Sequence, residues 1–402
     1  MNVVVAQSGG PTGVINASVL GVYRQALQEE SIGTVYGSLN GIEGVLQDRL
    51  VDLSDYLTDE DAMALLRQTP AAALGSCRCK LPPYDKEPAV YEQIRSRLEE
   101  KDVGVFVYIG GNDSMDTVDK LAAYFAAVDC PIRVMGVPKT IDNDLTHTDH
   151  TPGYGSAAKF VATSMLEMIR DATVYDLDSV LIVEIMGRDT GWLTAAAALP
   201  HLVGETAPHL VYLPETPFVA ERFLDDIRRV QKESRTVIVA VSEGVKIQGA
   251  EAFQSGKVDV FGHKYFSGTG KCLEALVRER LGCKVRSVEL NILQRCSSHI
   301  ASATDVAEAE RAGMVAMQAA AAGHSGEMVA FFRTAQEPYT LEYRCVPVGE
   351  VANAVKYVPE EWINPEGNGV TQEALDYILP LVQGEVAPRT ACGMPVHFRF
   401  DR

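Results

Sequence analysis

The sequence predicts an α/β protein of two doubly wound, mostly parallel sheets, with a composite ligand crevice between the domains that carry them. Three observations lead there. Short apolar, β-branched runs alternate with segments of helical periodicity along much of the chain. At 402 residues the chain has room for two or three domains of about 150 residues each. Glycine-rich and polar clusters follow directly on predicted strands, where open α/β sheets bind their ligands.

The elements follow in order. Residues 3–6 (Val-Val-Val-Ala) read as a buried strand, then a glycine-rich turn, then a helix over 14–27. A second strand spans 103–109, followed by Gly110-Gly111 and a helix over 115–127. Strands at 133–137, 180–185, 209–213, 236–241 and 285–293 repeat the pattern. Unbroken apolar runs of this kind belong to parallel strands covered on both faces. Asp305 and Glu308 have capping-box spacing at the start of an Ala-rich helix that runs to 322, where Gly323 ends it. Residues 328–332 form a further strand. The expected domains are 1–155 plus about 290–345, and about 156–289. From about 346 to 402 the chain reads as an appended extension, packed on the surface or against a partner subunit.

Composition narrows the function. Hydrophobic residues make up 47% and charged residues 22%, which is ordinary globular usage. No run approaches the roughly 18 apolar residues of a membrane span. Gly9, Gly10 and Pro11 interrupt the first apolar run and no basic segment precedes it, so no secretory signal is expected. The eight cysteines are scattered, and the one close pair, Cys77 and Cys79, fits no zinc spacing, which predicts reduced thiols and a cytoplasmic protein. The formal charge of −18 disfavours nucleic acid and anionic membranes as partners. A small anionic substrate would need a local basic pocket or a bound cation.

Five clusters meet that criterion together. Ser8-Gly9-Gly10 and Gly110-Gly111-Asn112-Asp113-Ser114 join strands to helices, where glycine backbone and a helix start favour phosphate. The second adds oxygen ligands suited to Mg2+, as phosphoryl transfer requires. Lys139-Thr140-Ile141-Asp142-Asn143-Asp144 puts one lysine and two acids in a short non-helical run. Transfer to an alcohol needs a carboxylate to take the hydroxyl proton, another to orient, and a cation at the phosphoryl group. Asp142, Asp144 and Lys139 fill those roles. Met186-Gly187-Arg188 supplies an arginine for a planar grip on an anion. In Ser242-Glu243-Gly244, Glu243 is suited to accept from sugar hydroxyls, and Arg286 and Arg295 add cations to a chain short of them.

Taken together, these residues resemble the phosphofructokinase family, in order and with compatible spacing over residues 3–310. The resemblance implies fructose 6-phosphate as acceptor, bound between two domains, with Asp142 taking the proton of its 1-hydroxyl. It implies a sugar-phosphate site of Thr140, Ile141, Asp142, Asp144, Met186, Gly187, Arg188, Glu243, Ile292 and Arg295. Arg286 would reach a neighbouring subunit's 6-phosphate, so a homodimer or homotetramer is expected. Gly10, Arg78, Gly110, Gly111, Asp113 and Ser114 fall on the phosphoryl-donor side, in the first domain. Asp142, Lys139, Asp113 and Arg188 would carry catalysis, and Asn112 and Asp113 would hold Mg2+.

The donor is legible in two residues. ATP-using members have glycine where this chain has Asp113 and Lys139, and the pair found here resembles pyrophosphate-dependent members. Two like charges about 4.5 Å apart at an effective dielectric near 20 repel by roughly 3–4 kcal/mol, which opposes the α-phosphate of ATP. Pyrophosphate has no α-phosphate, and Lys139 attracts the phosphoryl group that moves. Pyrophosphate is the expected donor, and the reaction should run both ways. An ATP-dependent kinase shares nearly every residue but lacks this pair. A nicotinamide-dependent dehydrogenase would need a complete glycine fingerprint. A non-catalytic sugar-phosphate sensor would have no use for Asp142 beside Lys139. The sequence departs from the family at Asn112, where many members have aspartate, at Ile292, where relatives often have His or Tyr, and at Ser179, where bacterial ATP-using members have a second subunit-crossing arginine. His147 and His150 read as solvated loop residues, and Trp192 and Tyr154 as packing residues.

Overall fold

The computed structural model describes residues 1–249, 257–258, 264–265 and 268–400. Its strands are β1 (Asn2–Gln7), β2 (Val35–Ser38), β3 (Leu50–Asp52), β4 (Val103–Gly110), β5 (Arg133–Pro138), β6 (Ser179–Ile185), β7 (Leu210–Tyr212), β8 (Phe218–Val219), β9 (Thr236–Ser242), β10 (Ile247–Gln248), β11 (Lys257–Val258), β12 (Lys264–Tyr265), β13 (Lys284–Glu289), β14 (Glu327–Gln336), β15 (Tyr339–Pro347), β16 (Thr390–Ala391) and β17 (Met394–Pro395). Its helices are α1 (Ile15–Ala26), α2 (Ile42–Leu46), α3 (Glu60–Gln68), α4 (Pro88–Glu100), α5 (Asn112–Ala127), α6 (Tyr154–Ala172), α7 (Trp192–Ala196), α8 (Ala220–Val230), α9 (Thr269–Leu281), α10 (Ala303–Ala321), α11 (Val348–Val351) and α12 (Gln372–Ile378). Among the described residues no helix is long and apolar enough to cross a membrane.

The chain divides into two compact units. The first holds Met1–Ser156, Arg295–Val355 and Gln383–Arg402, and the second Ala157–Gln294 and Lys356–Val382. The segment after 346 is thus shared: 356–382 belongs to the second unit and the rest to the first.

In the first unit a seven-stranded sheet runs β15-β14-β5-β4-β1-β2-β3. Its five inner strands are mutually parallel, and the edge strands β15 and β3 are antiparallel to their neighbours. Alternation along each strand sends residues to opposite faces. Val3, Val5, Val105, Val107 and Ile109 face a core shared with α1 and α10. Val4, Ala6, Phe106 and Tyr108 face a second core with α4 and α5. Both faces are therefore apolar, and the strand sequences carry no polar alternation for that reason.

Helices α1 and α10 pass in direct backbone contact. A Cβ on Gly21 would lie 1.9 Å from the Glu310 carbonyl oxygen, and one on Gly313 would lie 2.1 Å from that of Ser18. Glycine at both crossing points lets the two helix backbones touch.

The second unit has a four-stranded, wholly parallel sheet in the order β13-β6-β9-β7. Val180, Ile182, Val237, Val239 and Val241 pack there with Phe223, Leu224 and Ile227 of α8 and Leu273, Leu276 and Val277 of α9. Trp192 is buried against Trp362 and Tyr377, and its indole N–H donates to the Lys356 carbonyl at 2.9 Å. Trp192 and Tyr154 are packing residues, as their sequence settings suggested.

Three elements differ from expectation. Helix α5 begins at Asn112, three residues early, so the Asn-Asp-Ser run is its first turn. Strand β13 stops at Glu289 instead of 293, because Asn291 takes a φ of +43° and a short 3-10 turn over Asn291–Arg295 replaces extended chain. The cap of α10 is Ser302, whose hydroxyl accepts from the Asp305 N–H. Asp305 and Glu308 lie inside the helix and are buried for another purpose.

Candidate active site

The five clusters do follow strand ends: β1, β4 and β5 in the first unit, β6 and β9 in the second. The first-unit groups converge. Gly9 holds a φ of +75°, open to glycine, and its carbonyl accepts from Ser76 Oγ at 2.6 Å. The Lys139 ammonium is buried, 2% exposed, and donates to the Gly10 carbonyl at 2.5 Å. A Cβ on Gly9 would lie 3.4 Å from Lys139 Nζ, and one on Gly10 would lie 3.6 Å from the Arg295 guanidinium. The Lys139 N–H in turn donates to the Gly110 carbonyl at 3.0 Å. Burial pulls the Lys139 ammonium down to about 8, with Asp142 and Asp144 opposing that fall and Arg295 adding to it. Asp142, Asp144 and Arg295 thus lie close enough to Lys139 for their charges to act on it.

The loop after β5 is folded on itself. The Asp142 N–H donates to Thr140 Oγ1 at 3.1 Å. Asn143, at a φ of +54°, accepts from the Thr151 N–H at 3.1 Å, and Thr151 Oγ1 donates to the Thr140 carbonyl at 2.8 Å. Ile141 is buried beneath this turn.

At the start of α5, Gly111 is the N-cap and no side chain of the described residues caps the helix. The Ser114 N–H donates to the Gly111 carbonyl at 3.0 Å, and the N–H groups of Asn112 and Asp113 remain at the positive end of the helix dipole, where an anion is favoured. Gly110 has no room for a side chain, since a Cβ there would meet Ser114 Oγ at 1.9 Å. Asp113 is two-thirds exposed and pairs with Lys80 at 2.9 Å. This pairing holds the Lys80 ammonium above its ordinary range. Arg78 lies exposed on the same loop as Lys80. Asn112 is occupied: its amide donates to the Ala354 carbonyl at 2.6 Å, and its oxygen accepts from the Asn353 N–H at 2.7 Å. Among the described residues no group of three His, Cys, Asp or Glu could hold a metal.

In the second unit, Gly187 takes a φ of +133° and its N–H donates to Glu243 at 3.3 Å. Ser242 Oγ donates to the Gly187 carbonyl at 2.5 Å, and a Cβ on Gly244 would lie 2.0 Å from the Arg188 carbonyl. The turns after β6 and β9 are thus bonded to one another, with Arg188 exposed. The Met186 N–H donates to Gln294 at 3.2 Å. Arg286 is exposed on edge strand β13, and Ile292 is exposed beyond it.

Sequence reasoning missed three residues. Glu184 is buried and accepts from the Gly270 N–H at 2.6 Å, and burial raises its carboxyl to about 7. Lys80 is one of two lysines in the loop between α3 and α4. His150, expected in solvent, is 1% exposed, and only His147 is solvated. No local pattern flags any of the three, because each is defined by a partner distant in sequence.

A doubly wound sheet whose strand ends offer glycine turns, an uncapped helix start and a buried ammonium defines an α/β protein suited to phosphate chemistry. The family pattern of phosphofructokinase matches residues 2–320, and the chain belongs to that family. It is 38% identical over 98% of its length to the pyrophosphate–fructose 6-phosphate 1-phosphotransferase of Halomonas elongata, covering 94% of that protein. Its identity to the enzyme of the same name from Methylococcus capsulatus is 39%, with the same coverage. The crystal structure of a pyrophosphate-dependent phosphofructokinase from Marinobacter aquaeolei superposes with a TM-score of 0.88 at 37% identity, over 99% of this chain and 95% of that one.

Proposed function

We propose that the chain transfers a phosphoryl group reversibly from pyrophosphate to the 1-hydroxyl of fructose 6-phosphate, giving fructose 1,6-bisphosphate and phosphate. The observation that carries this reading is the buried Lys139 ammonium among Asp142, Asp144 and Arg295. Asp142 takes the hydroxyl proton as the sugar oxygen bonds to the nearer phosphorus, and the bond from that phosphorus to the bridging oxygen breaks. Lys139 offsets charge on the moving phosphoryl group, and Asp144 orients the acceptor. The Gly110-Gly111 backbone, Ser114 and the first turn of α5 receive the leaving phosphate, with Gly10 and Arg78 on the donor side. Thr140, Ile141, Met186, Gly187, Arg188, Glu243, Ile292 and Arg295 hold the sugar phosphate, and Arg286 serves a neighbouring subunit of a homodimer or homotetramer.

Mg2+ fits this donor set, because it binds through one or two carboxylates plus substrate phosphates and needs no all-protein cage. Asp113 would hold it, whereas the Asn112 amide is committed to residues 353 and 354. When bound it would screen the negative charge of the phosphates. We place the protein in a reducing, cytoplasmic setting on the scattered spacing of its eight cysteines.

Donor choice rests on Asp113 and Lys139. Because Lys80 partners Asp113, repulsion of an ATP α-phosphate is weaker than a lone carboxylate would give. Discrimination then comes from the combined bulk of the ion pair and from Lys139 drawing the shorter donor inward. The test crosses pyrophosphate and ATP with fructose 6-phosphate, with and without Mg2+, on purified enzyme. Turnover with pyrophosphate, at least about 100-fold above that with ATP, is expected. Asp113→Gly should narrow the gap. Robust turnover with ATP and none with pyrophosphate would overturn the donor assignment.

A further inference from the structure

The loop that carries Thr140, Asp142 and Asp144 returns through residues 148–153, and that return arm is fastened from two sides, by β14 and α10. The Asp149 N–H donates to the Phe331 carbonyl on β14 at 2.8 Å, and the Phe331 N–H donates to Thr148 Oγ1 at 2.9 Å. On α10, Asp305 accepts from the N–H groups of Gly153 and Ser156, both at 2.8 Å. Between these ties sits His150. Its Nδ1 lies 2.8 Å from Asp149 Oδ2 and its Nε2 lies 2.7 Å from Glu308 Oε2. The ring meets Phe331 edge-on at 5.0 Å.

Carboxylates only accept, so two carboxylate partners require both ring nitrogens to donate, and the ring is an imidazolium. Burial opposes that charge, and Glu308 with Asp149 outweighs burial, holding the ring above its ordinary range. The surrounding groups are paired in turn. Arg333 of β14 donates to Asp149 at 2.9 Å, and the Tyr339 hydroxyl of β15 donates to Glu308 Oε1 at 2.7 Å. Asp305 and Arg311 of α10 and Tyr343 of β15 are further charged and titratable groups facing this cluster. His150, Asp149, Glu308 and Arg333 together carry no net charge, which lets the cluster stay buried.

We propose that His150 is a positioning residue for phosphoryl transfer: clamped between Asp149 and Glu308, it fixes the arm that shapes the Asp142 loop. The mechanical link is short. Thr151, next to His150, bonds both Asn143 and the Thr140 carbonyl, and the Thr140 N–H donates to Pro152. Releasing His150 frees the arm, and Thr140 and Asp142 move with it while the phosphate-binding strand ends stay in place. The inference rests on the proposed role of Asp142 as proton acceptor.

The test uses the full chain as wild type, His150→Gln, His150→Phe and the double variant His150→Phe/Glu308→Gln, with melting curves for each. His150→Phe leaves Glu308 charged and without its imidazolium, and can fail to fold for that reason alone. The double variant removes the charge along with the clamp. Positioning predicts a folded double variant with KM for pyrophosphate within about threefold of wild type and kcat lower by about 30–100-fold. His150→Gln keeps an N–H donor for one carboxylate and should recover about 5–10-fold of that loss. A double variant with kcat within about twofold of wild type overturns the proposal. So does a kcat loss that tracks the unfolded fraction and vanishes where the variant is fully folded. If the wild type uses ATP and not pyrophosphate, the donor assignment fails, and the same comparison then runs with ATP.

Discussion

Replacing Lys139 with methionine should separate stability from turnover. The ammonium is buried, and its proton affinity falls from 10.5 to about 8. At ~1.36 kcal/mol per pH unit, that fall means the charged lysine costs the fold about 3 kcal/mol below pH 8. Below pH 8 lysine is protonated in both folded and unfolded states, so the cost is fully present. As pH rises from 8 to 10.5 the folded state sheds its proton first, the unfolded state binds more protons, and stability rises. Methionine removes the charge but leaves the Gly10 carbonyl without this donor, a loss of about 1–3 kcal/mol. Lys139→Met should therefore be about 0–2 kcal/mol more stable than wild type at pH 7 and about 0–2 kcal/mol less stable at pH 10, where about 1 kcal/mol of the lysine's cost remains. Melting curves at the two pH values read this crossing, at about 1–2 °C per kcal/mol for a chain of this length. In the same variant kcat should fall by about 10²–10³, as expected when a cation at the moving phosphoryl group is lost. Wild-type kcat should decline above about pH 8 as the ammonium deprotonates. A variant destabilised equally at both pH values, or one that keeps turnover within tenfold, would refute the reasoning.

Three further outcomes follow from the same geometry. Asp142→Ala should lower kcat by about 10²–10⁴ while equilibrium binding of fructose 6-phosphate is retained, and a sensor would show no such split. Gly313→Ala forces a methyl group toward the Ser18 carbonyl, so overpacking of about 1–3 kcal/mol should exceed the ~1 kcal/mol gained in helix propensity and lower the melting temperature. An unchanged or higher melting temperature would show that α1 and α10 separate freely. Asn112→Asp removes the donor to Ala354 and sets a carboxylate beside that carbonyl, at about 1–3 kcal/mol, so amides near 353 should exchange faster with solvent.

The strand ends were legible because their chemistry is local. A lysine and two acids in one hexapeptide after an apolar run state both position and role, and Lys139 does sit at such a strand end with its ammonium on Gly10. Helix starts were less legible: Asn112, Asp113 and Ser114 suggested a loop, yet they form the first turn of α5, with Gly111 as its cap. Helix α10 shows the opposite case. Asp305 and Glu308 have the spacing of a cap, but they serve Gly153, Ser156 and His150, all about 150 residues earlier in the chain. A histidine in a polar run reads as solvated unless its carboxylate partners are known, and only the tertiary fold brings Glu308 to it. Lys80 and Glu184 escaped notice for the same reason.

The division of the chain has a consequence for how the protein is made. Strand β14 enters the first sheet beside β5, and α10 lies against α1, although most of the second unit is encoded between them. On the ribosome the N-terminal half-sheet must wait, with the face that α1 covers still lacking α10, while some 140 intervening residues emerge. Mutations along α10 should therefore reduce soluble yield in cells more than they lower the melting temperature of the purified protein.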